Sequence, residues 1–166
     1  MKVVAAFVLC MAFSLGVAAL HAETMTGADS SGATAAVGNE LIAFPESYRD
    51  GVHYNTIDRG SIREEMYTSE AAIAAAKSGK PLPDGTVILN EWYEDGQLTH
   101  YFVMEKRIGW GADYSEDARA GDWRFRDFHP DRSPNLSDNG TGCMACHRSQ
   151  AAKDFVWTRD RMNGAQ

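Results

Sequence analysis

The sequence predicts a mainly β (α+β) domain: an antiparallel sheet with a few peripheral helices and a helix closing the C-terminal end. Three segments carry this reading. Thr86–Glu94 (TVILNEWYE) is β-branched and aromatic, runs into Asp95-Gly96, and is answered by a second apolar run over Gln97–Ile108, the pattern of a β-hairpin. Asp122–Phe128 (DWRFRDF) alternates Trp123 and Phe125 with Arg124 and Arg126, as a half-buried strand does. Ser69 followed by EAAIAAAKSG, with Pro81 and Pro83 beyond, has the cap and the stop of one short helix. The 166 residues suit one domain. A share of 44% hydrophobic and 23% charged residues rules out wholesale disorder.

The elements follow in order. Residues 1–22 (MKVVAAFVLCMAFSLGVAALHA) carry Lys2, an uncharged apolar run and small residues at Ala19 and Ala22, the layout of a secretory signal peptide. A retained anchor is the rival reading, since the apolar run is long; the small residues at the cleavage positions favour removal. Residues 23–40, rich in Ser, Thr, Gly and Ala, read as a flexible leader, with the domain spanning 41–166. Phe44–Tyr48 suggests a helical turn started at Pro45. His53–Ile57 and Ile62–Thr68 are candidate strands around the Asp58-Arg59-Gly60 turn. Helix 70–79 comes next, ending at Gly79. On the hairpin's return strand, alternation places Leu98, His100, Phe102 and Met104 on one face and Tyr101 and Val103 on the other, so both faces of the sheet are covered. Residues 109–121 and 130–142 read as loops, Ala145–Trp157 as the closing helix, and Met162 as part of a frayed tail.

Charge and cysteine content narrow the function. The formal net charge is −7, and removal of residues 1–22 loses Lys2 but no acid, moving it to −8. An acidic chain is a poor partner for nucleic acid or for an anionic membrane surface. Of three cysteines, Cys10 leaves with the leader, so the domain keeps Cys143 and Cys146. These stand in Cys143-Met144-Ala145-Cys146-His147, the C-x-x-C-H signature of c-type haem attachment. Two thiols one helical turn apart can each add to one vinyl group of a porphyrin, and the adjacent imidazole then lies under the ring as an axial ligand. A structural zinc site needs four ligands, and a thioredoxin-like pair belongs after the first strand of a βαβ unit. The closing helix is therefore expected to attach one covalent haem c, and the signal peptide agrees, because bacteria attach haem covalently outside the cytoplasm.

From Tyr48 to Met162 the sequence resembles the cytochrome P-460 family, which includes the β-sheet cytochromes c prime. The resemblance rests on REEMYTSEAAIAAAKSGKPLPDGTVILNEWYEDG (Arg63–Gly96), with K-P-L-P-D-G-T at Lys80–Thr86. It rests also on VMEKR (Val103–Arg107), GDWRF (Gly121–Phe125) and CMACHRSQAAKDFVWT (Cys143–Thr158). It implies an antiparallel sheet, often in a homodimer, holding one haem. It also implies five-coordinate iron with His147 as its only protein ligand, and an open distal side for a small diatomic or nitrogen-oxide ligand. Some members join a lysine to the porphyrin and oxidise hydroxylamine; others lack the link and bind nitric oxide. Lys77, Lys80, Lys106 and Lys153 are the lysines outside the leader, and Asn90 stands on the hairpin where many relatives carry lysine.

The remaining candidates each have a plainer reading. Phe102, Trp123, Phe125 and Phe128 are potential haem neighbours, though aromatics on strands are core residues by default. His53, His100 and His129, and the methionines Met66 and Met104, are potential sixth ligands, against ordinary surface or packing roles. Arg124 and Arg126 can pair with haem propionates, but a solvated strand face is the simpler reading. Glu91, Glu105 and Asp127 are candidate proton acceptors, whereas Glu64-Glu65 and Glu116-Asp117 read as solvent-facing. The functional expectation is an exported, periplasmic or secreted monohaem cytochrome that binds or turns over nitric oxide or hydroxylamine. The alternative is a non-catalytic electron-transfer cytochrome with six-coordinate haem that serves a redox partner protein.

Overall fold

The computed structural model describes residues 39–165. The signal peptide, Cys10 and all of the leader except its end lie outside the described residues; Asn39–Leu41 form a 3-10 turn where the leader meets the domain. Five strands, β1 (Val52–Arg59), β2 (Ile62–Thr68), β3 (Val87–Glu94), β4 (Gln97–Lys106) and β5 (Trp123–Phe128), pair antiparallel in chain order. Two α-helices, α1 (Glu70–Lys77) and α2 (Thr141–His147), and several 3-10 turns lie around them. The predicted fold class is the one observed. Among the described residues no helix is long and apolar enough to cross a membrane.

Local chemistry sets these elements. Asp95 (φ 48°) and Gly96 (φ 79°) both turn left-handed, which matches the twist of the β3–β4 hairpin. Ser69 Oγ accepts the Ala72 amide at 3.2 Å and caps α1. At the other end Gly79 is left-handed, and the amides of Gly79 and Lys80 donate back to the Ala76 and Ala75 carbonyls at 3.0 Å each. That double bond is a Schellman stop, reached before Pro81.

Both faces of the sheet are covered. On the first, Met66, Ile88, Met104, Trp123 and Phe125 pack with Ala72, Ile73 and Ala76 of α1 and with Met144, Val156 and Met162 near the C-terminus. On the second, Leu89, Tyr101, Val103 and Phe128 pack with Ile42, Phe44, Tyr48 and Trp110. A bulge corrects the alternation expected for β4. Trp92 pairs with His100 but Tyr93 pairs with Leu98, so Thr99 is an extra residue and Leu98 lies on the second face rather than beside Phe102.

Two further expectations are overturned. Arg124 is fully buried, not solvated: its guanidinium lies 4.9 Å from the Trp110 ring and 5.6 Å from the Tyr114 ring, and pairs with Asp113. The 109–114 segment folds over that face and supplies the partners that alternation alone cannot reveal. The closing helix is also broken. It starts earlier, at Thr141, tightens into a 3-10 segment over Arg148–Lys153 kinked at Gln150, and stops at left-handed Asp154 (φ 54°) and Phe155 (φ 62°). A last 3-10 segment, Arg159–Gly164, packs on α1 with Met162 fully buried, and Lys77 Nζ donates to the Ala165 carbonyl at 2.6 Å. The tail is docked rather than frayed. Met162→Ala is therefore expected to destabilise the domain by about 2–5 kcal/mol. Thermal unfolding of the variant checks this, and an unchanged midpoint would return Met162 to a frayed end.

Candidate functional site

The C-x-x-C-H segment is α2 itself. Asp138 Oδ1 accepts the Gly140 amide at 2.8 Å and Asn139 Oδ1 accepts the Thr141 amide at 3.1 Å, which shapes the turn; Gly140 (φ 71°) then opens the helix. Cys143 and Cys146 follow at helical spacing i, i+3, which places both on one face, and both are free thiols. Met144 is buried in the first-face core and anchors the helix to the sheet. His147 ends the helix. Its ring lies 4.7 Å from the ring of Phe125 on β5, and its Nδ1 is 2.8 Å from the Phe155 carbonyl oxygen. A carbonyl only accepts, so Nδ1 carries the proton and Nε2 keeps its lone pair. Burial lowers the His147 pKa and outweighs the opposing effect of the Phe155 carbonyl, which favours the neutral ring. Burial, helped by the charges of Asp138 and Asp127, pushes the Cys143 thiol up to about 11.

These three residues line a cavity of about 680 Å³ between the C-terminal segment and the first face of the sheet. That volume lies in the range of cofactor sites. Met66, Ile88, Phe102, Met104 and Phe125 supply its apolar sheet wall, and Val156 and Trp157 lie on the C-terminal side. The polar lining includes Arg59, Glu64, Asn90, Arg126, Thr158 and Arg161. Glu64 accepts from Asn90 Nδ2 at 2.7 Å and pairs with Arg59, while Asn90 Oδ1 is buried and accepts nothing from the described residues.

The expected residues divide clearly. Phe102 and Phe125 line the cavity; Trp123 shares their face but is packed in the core under the Lys106 ammonium, 5.8 Å from its ring, and is not on the cavity wall. Phe128 belongs to the second face. Met66 and Met104 line the cavity, whereas His53, His100 and His129 do not. His53 bonds Glu65 at 2.6 Å, and His100 stacks on Phe102 and bonds Asp127 at 3.0 Å. Glu91 is buried on the second face with Tyr48, Arg49 and Tyr93, Glu105 pairs with Arg107, and Asp127 holds His100 and Asn135, so none of the three expected proton acceptors reaches the cavity. Arg126 lines the cavity, with one of its nitrogens donating to the Ile42 carbonyl at 2.7 Å, whereas Arg124 is fully buried against Asp113 and does not line it.

Glu64 and Glu65 are the opposite case: both are buried, not solvent-facing. Glu64 shares a strand face with Ile62 and Met66, and that alternation is the signal that places it inward. Arg59 and Arg161 line the cavity although both are exposed, and they come from segments that the sequence reads as a turn and a tail. None of Lys77, Lys80, Lys106 and Lys153 lines the cavity. Among the described residues no three His, Cys, Asp or Glu side chains gather into a metal cage.

The contrast between the two thiols is measurable. Cys143 is partly buried with a raised pKa, and Cys146 is exposed. Because the thiolate is the reactive form, alkylation of the reduced, haem-free chain at pH 8 is expected to modify Cys146 roughly tenfold or more faster than Cys143. Peptide mass mapping reads the ratio, which should collapse in urea; equal rates in the native chain would contradict the burial of Cys143.

The donor set suits a haem. Two unbridged thiols a helical turn apart can form thioethers, one imidazole offers a bare Nε2, and the cavity beside them is largely apolar. No curated protein matches the chain. The model of the family Cytochrome P460 matches residues 45–158, most of the folded domain and all of the C-x-x-C-H segment. The chain therefore belongs to the cytochrome P460 family and is a haem-binding cytochrome.

Proposed function

We propose that the protein is an exported monohaem c-type cytochrome whose haem is held by thioethers to Cys143 and Cys146, with His147 as the only protein ligand to iron. Bound haem supplies redox-active iron with one face free for a small nitrogen species such as nitric oxide or hydroxylamine. The observation that carries this reading is the state of His147. Its Nδ1 is committed to the Phe155 carbonyl, its ring stays neutral, and Nε2 is the donor that remains. No other imidazole of the described residues lines the cavity, and Met66 and Met104, the remaining sixth-ligand candidates, are packed into its core wall, which favours five-coordination over the six-coordinate electron-transfer alternative.

The polar corner favours a ligand able to donate a hydrogen bond. Asn90 Oδ1 is a buried acceptor without a partner, and such an atom costs free energy until a donor reaches it. Hydroxylamine carries O–H and N–H donors, and nitric oxide carries none. Glu64, held by Arg59 and Asn90, is the carboxylate in the cavity able to accept a proton from such a ligand. The −8 charge expected for the exported chain describes the surface offered to a redox partner protein; a homodimer and a periplasmic location belong to the same proposal.

Two measurements test it. The haem is expected to stay with the polypeptide through acid acetone, and Cys143→Ala with Cys146→Ala to abolish that retention; a double variant that kept its haem would overturn the thioether assignment. The ferrous protein is expected to show a high-spin spectrum that changes on addition of nitric oxide or carbon monoxide. A sharp low-spin spectrum indifferent to both gases would establish the six-coordinate alternative instead.

A further inference from the structure

We propose that Lys106 and Asp154 are positioning residues for His147: their ion pair holds the left-handed turn at 154–155, and the turn aims the Phe155 carbonyl that fixes the imidazole. The proposal rests on the reading of His147 as the axial ligand.

The argument starts from the backbone. Asp154 and Phe155 are consecutive non-glycine residues at φ 54° and 62°. The left-handed region crowds Cβ against the carbonyl oxygen, so two such residues in succession persist only where their surroundings over-determine them. Here the strained pair presents one specific group. The Phe155 carbonyl, displaced from any helical ladder by this turn, accepts from His147 Nδ1 at 2.8 Å. A continuous helix over 145–157, the local preference of the sequence, would turn that carbonyl along the helix axis and take it from the imidazole.

Two backbone bonds close the turn, from the Asp154 amide to the Ala151 carbonyl at 3.1 Å and from the Phe155 amide to the Gln150 carbonyl at 2.8 Å, and the Asp154 side chain ties it to the end of β4. Its Oδ2 accepts the Leu82 amide at 2.7 Å, and both of its oxygens accept from Lys106 Nζ at 2.9 Å. Lys106 Nζ also donates to the Leu82 carbonyl at 3.0 Å. The ammonium and the carboxylate are mostly buried, at 13% and 15% side-chain exposure, so the pair is shielded from screening by solvent and salt. Arg159 stands 3.9 Å from the same carboxylate. The Phe155 ring is pinned as well: a Cβ at Gly121, itself at φ 56°, would fall 2.5 Å from that ring. The connection therefore runs from the end of β4, through Lys106 and Asp154, to the turn, to the Phe155 carbonyl and to His147.

This arrangement has an electronic consequence as well as a mechanical one. A hydrogen bond from Nδ1–H to a carbonyl raises the basicity of Nε2 and fixes the ring's tautomer and rotation. A pair that only stabilised the fold would move the melting temperature and leave those properties alone.

The test uses the haem-loaded protein with Lys106→Met, Asp154→Asn and Lys106→Arg. Asp154→Asn keeps a residue that tolerates the left-handed region and can still accept the Leu82 amide, so it folds where Lys106→Met fails to. Resonance Raman of the ferrous state reads the iron–histidine stretch, and redox titration reads the potential. The Met and Asn variants are expected to shift the stretch down and the potential up, because a less basic imidazole stabilises ferric iron less. Lys106→Arg is expected to restore both toward the parent. Variants that load haem with the parent's stretch and potential would overturn the proposal. A parent lacking the stretch altogether would overturn five-coordination, and the potentials would then decide the positioning role on their own.

Discussion

Burying both faces of one antiparallel meander is the constraint on which the rest of this structure depends. Tight hairpins join β1 to β2 and β3 to β4, and no parallel crossover lays a helix across the sheet. Yet Leu89 and Val103 on one face, and Met104 and Phe125 on the other, are all nearly inaccessible. The covers must then come from the remaining connections. The 42–50 segment and the 109–114 turn close one face; α1 and the C-terminal segment close the other. The residues with chemistry lie in one of these covers, and the cavity lies where that cover and the sheet stand apart.

The second face is closed largely by satisfied charge. Glu91 is 1% exposed and accepts from Arg49, Tyr48 and Tyr93. Burial alone would raise the Glu65 carboxyl, but bonds from Thr56, Arg63 and His53 outweigh it and hold the group below its ordinary range. Folding of this face therefore favours the ionised Glu65, a contribution present above the unfolded carboxylate range and lost as pH falls through the folded one. Arg124 completes the pattern between Trp110 and Tyr114. Buried polar groups that find partners across elements make a face specific, and this face backs the sheet that forms the cavity wall.

Legibility in the sequence follows the range of the forces. The Asp95-Gly96 hairpin, the Ser69 cap and the Gly79 stop are settled within a few residues, and the sequence reading of each agrees with the structure. The bulge at Thr99 is invisible to alternation because it is a property of the pair β3–β4. The charged residues misread as solvated, Arg124, Glu64 and Glu65, find their partners on other elements or through strand pairing. The closing helix ends sooner than its sequence predicts for the same reason: Leu82 and Lys106, far away in sequence, capture Asp154. Within the site, the thiols and His147 are legible because their chemistry requires adjacency, whereas the wall they face is drawn from all five strands.

Strand spacing sets what the two ends of that wall can do. His147 packs against Phe125 on β5, while Glu64 lies on β2, three strands away. At 4.7–4.9 Å per strand the separation is on the order of 14 Å. Glu64 therefore cannot touch the imidazole, and the two groups act on opposite ends of whatever occupies the cavity. The imidazole end is neutral and fixed by a carbonyl; the far end offers a carboxylate paired with Arg59 and an amide oxygen with unspent accepting capacity. The cavity thus sets an imidazole against an apolar strand wall at one end and a charged, amide-bearing corner at the other. The contacts that keep α2 on the sheet, Met144 in the core and His147 on Phe125, lie at the imidazole end, away from Asn90 and Glu64.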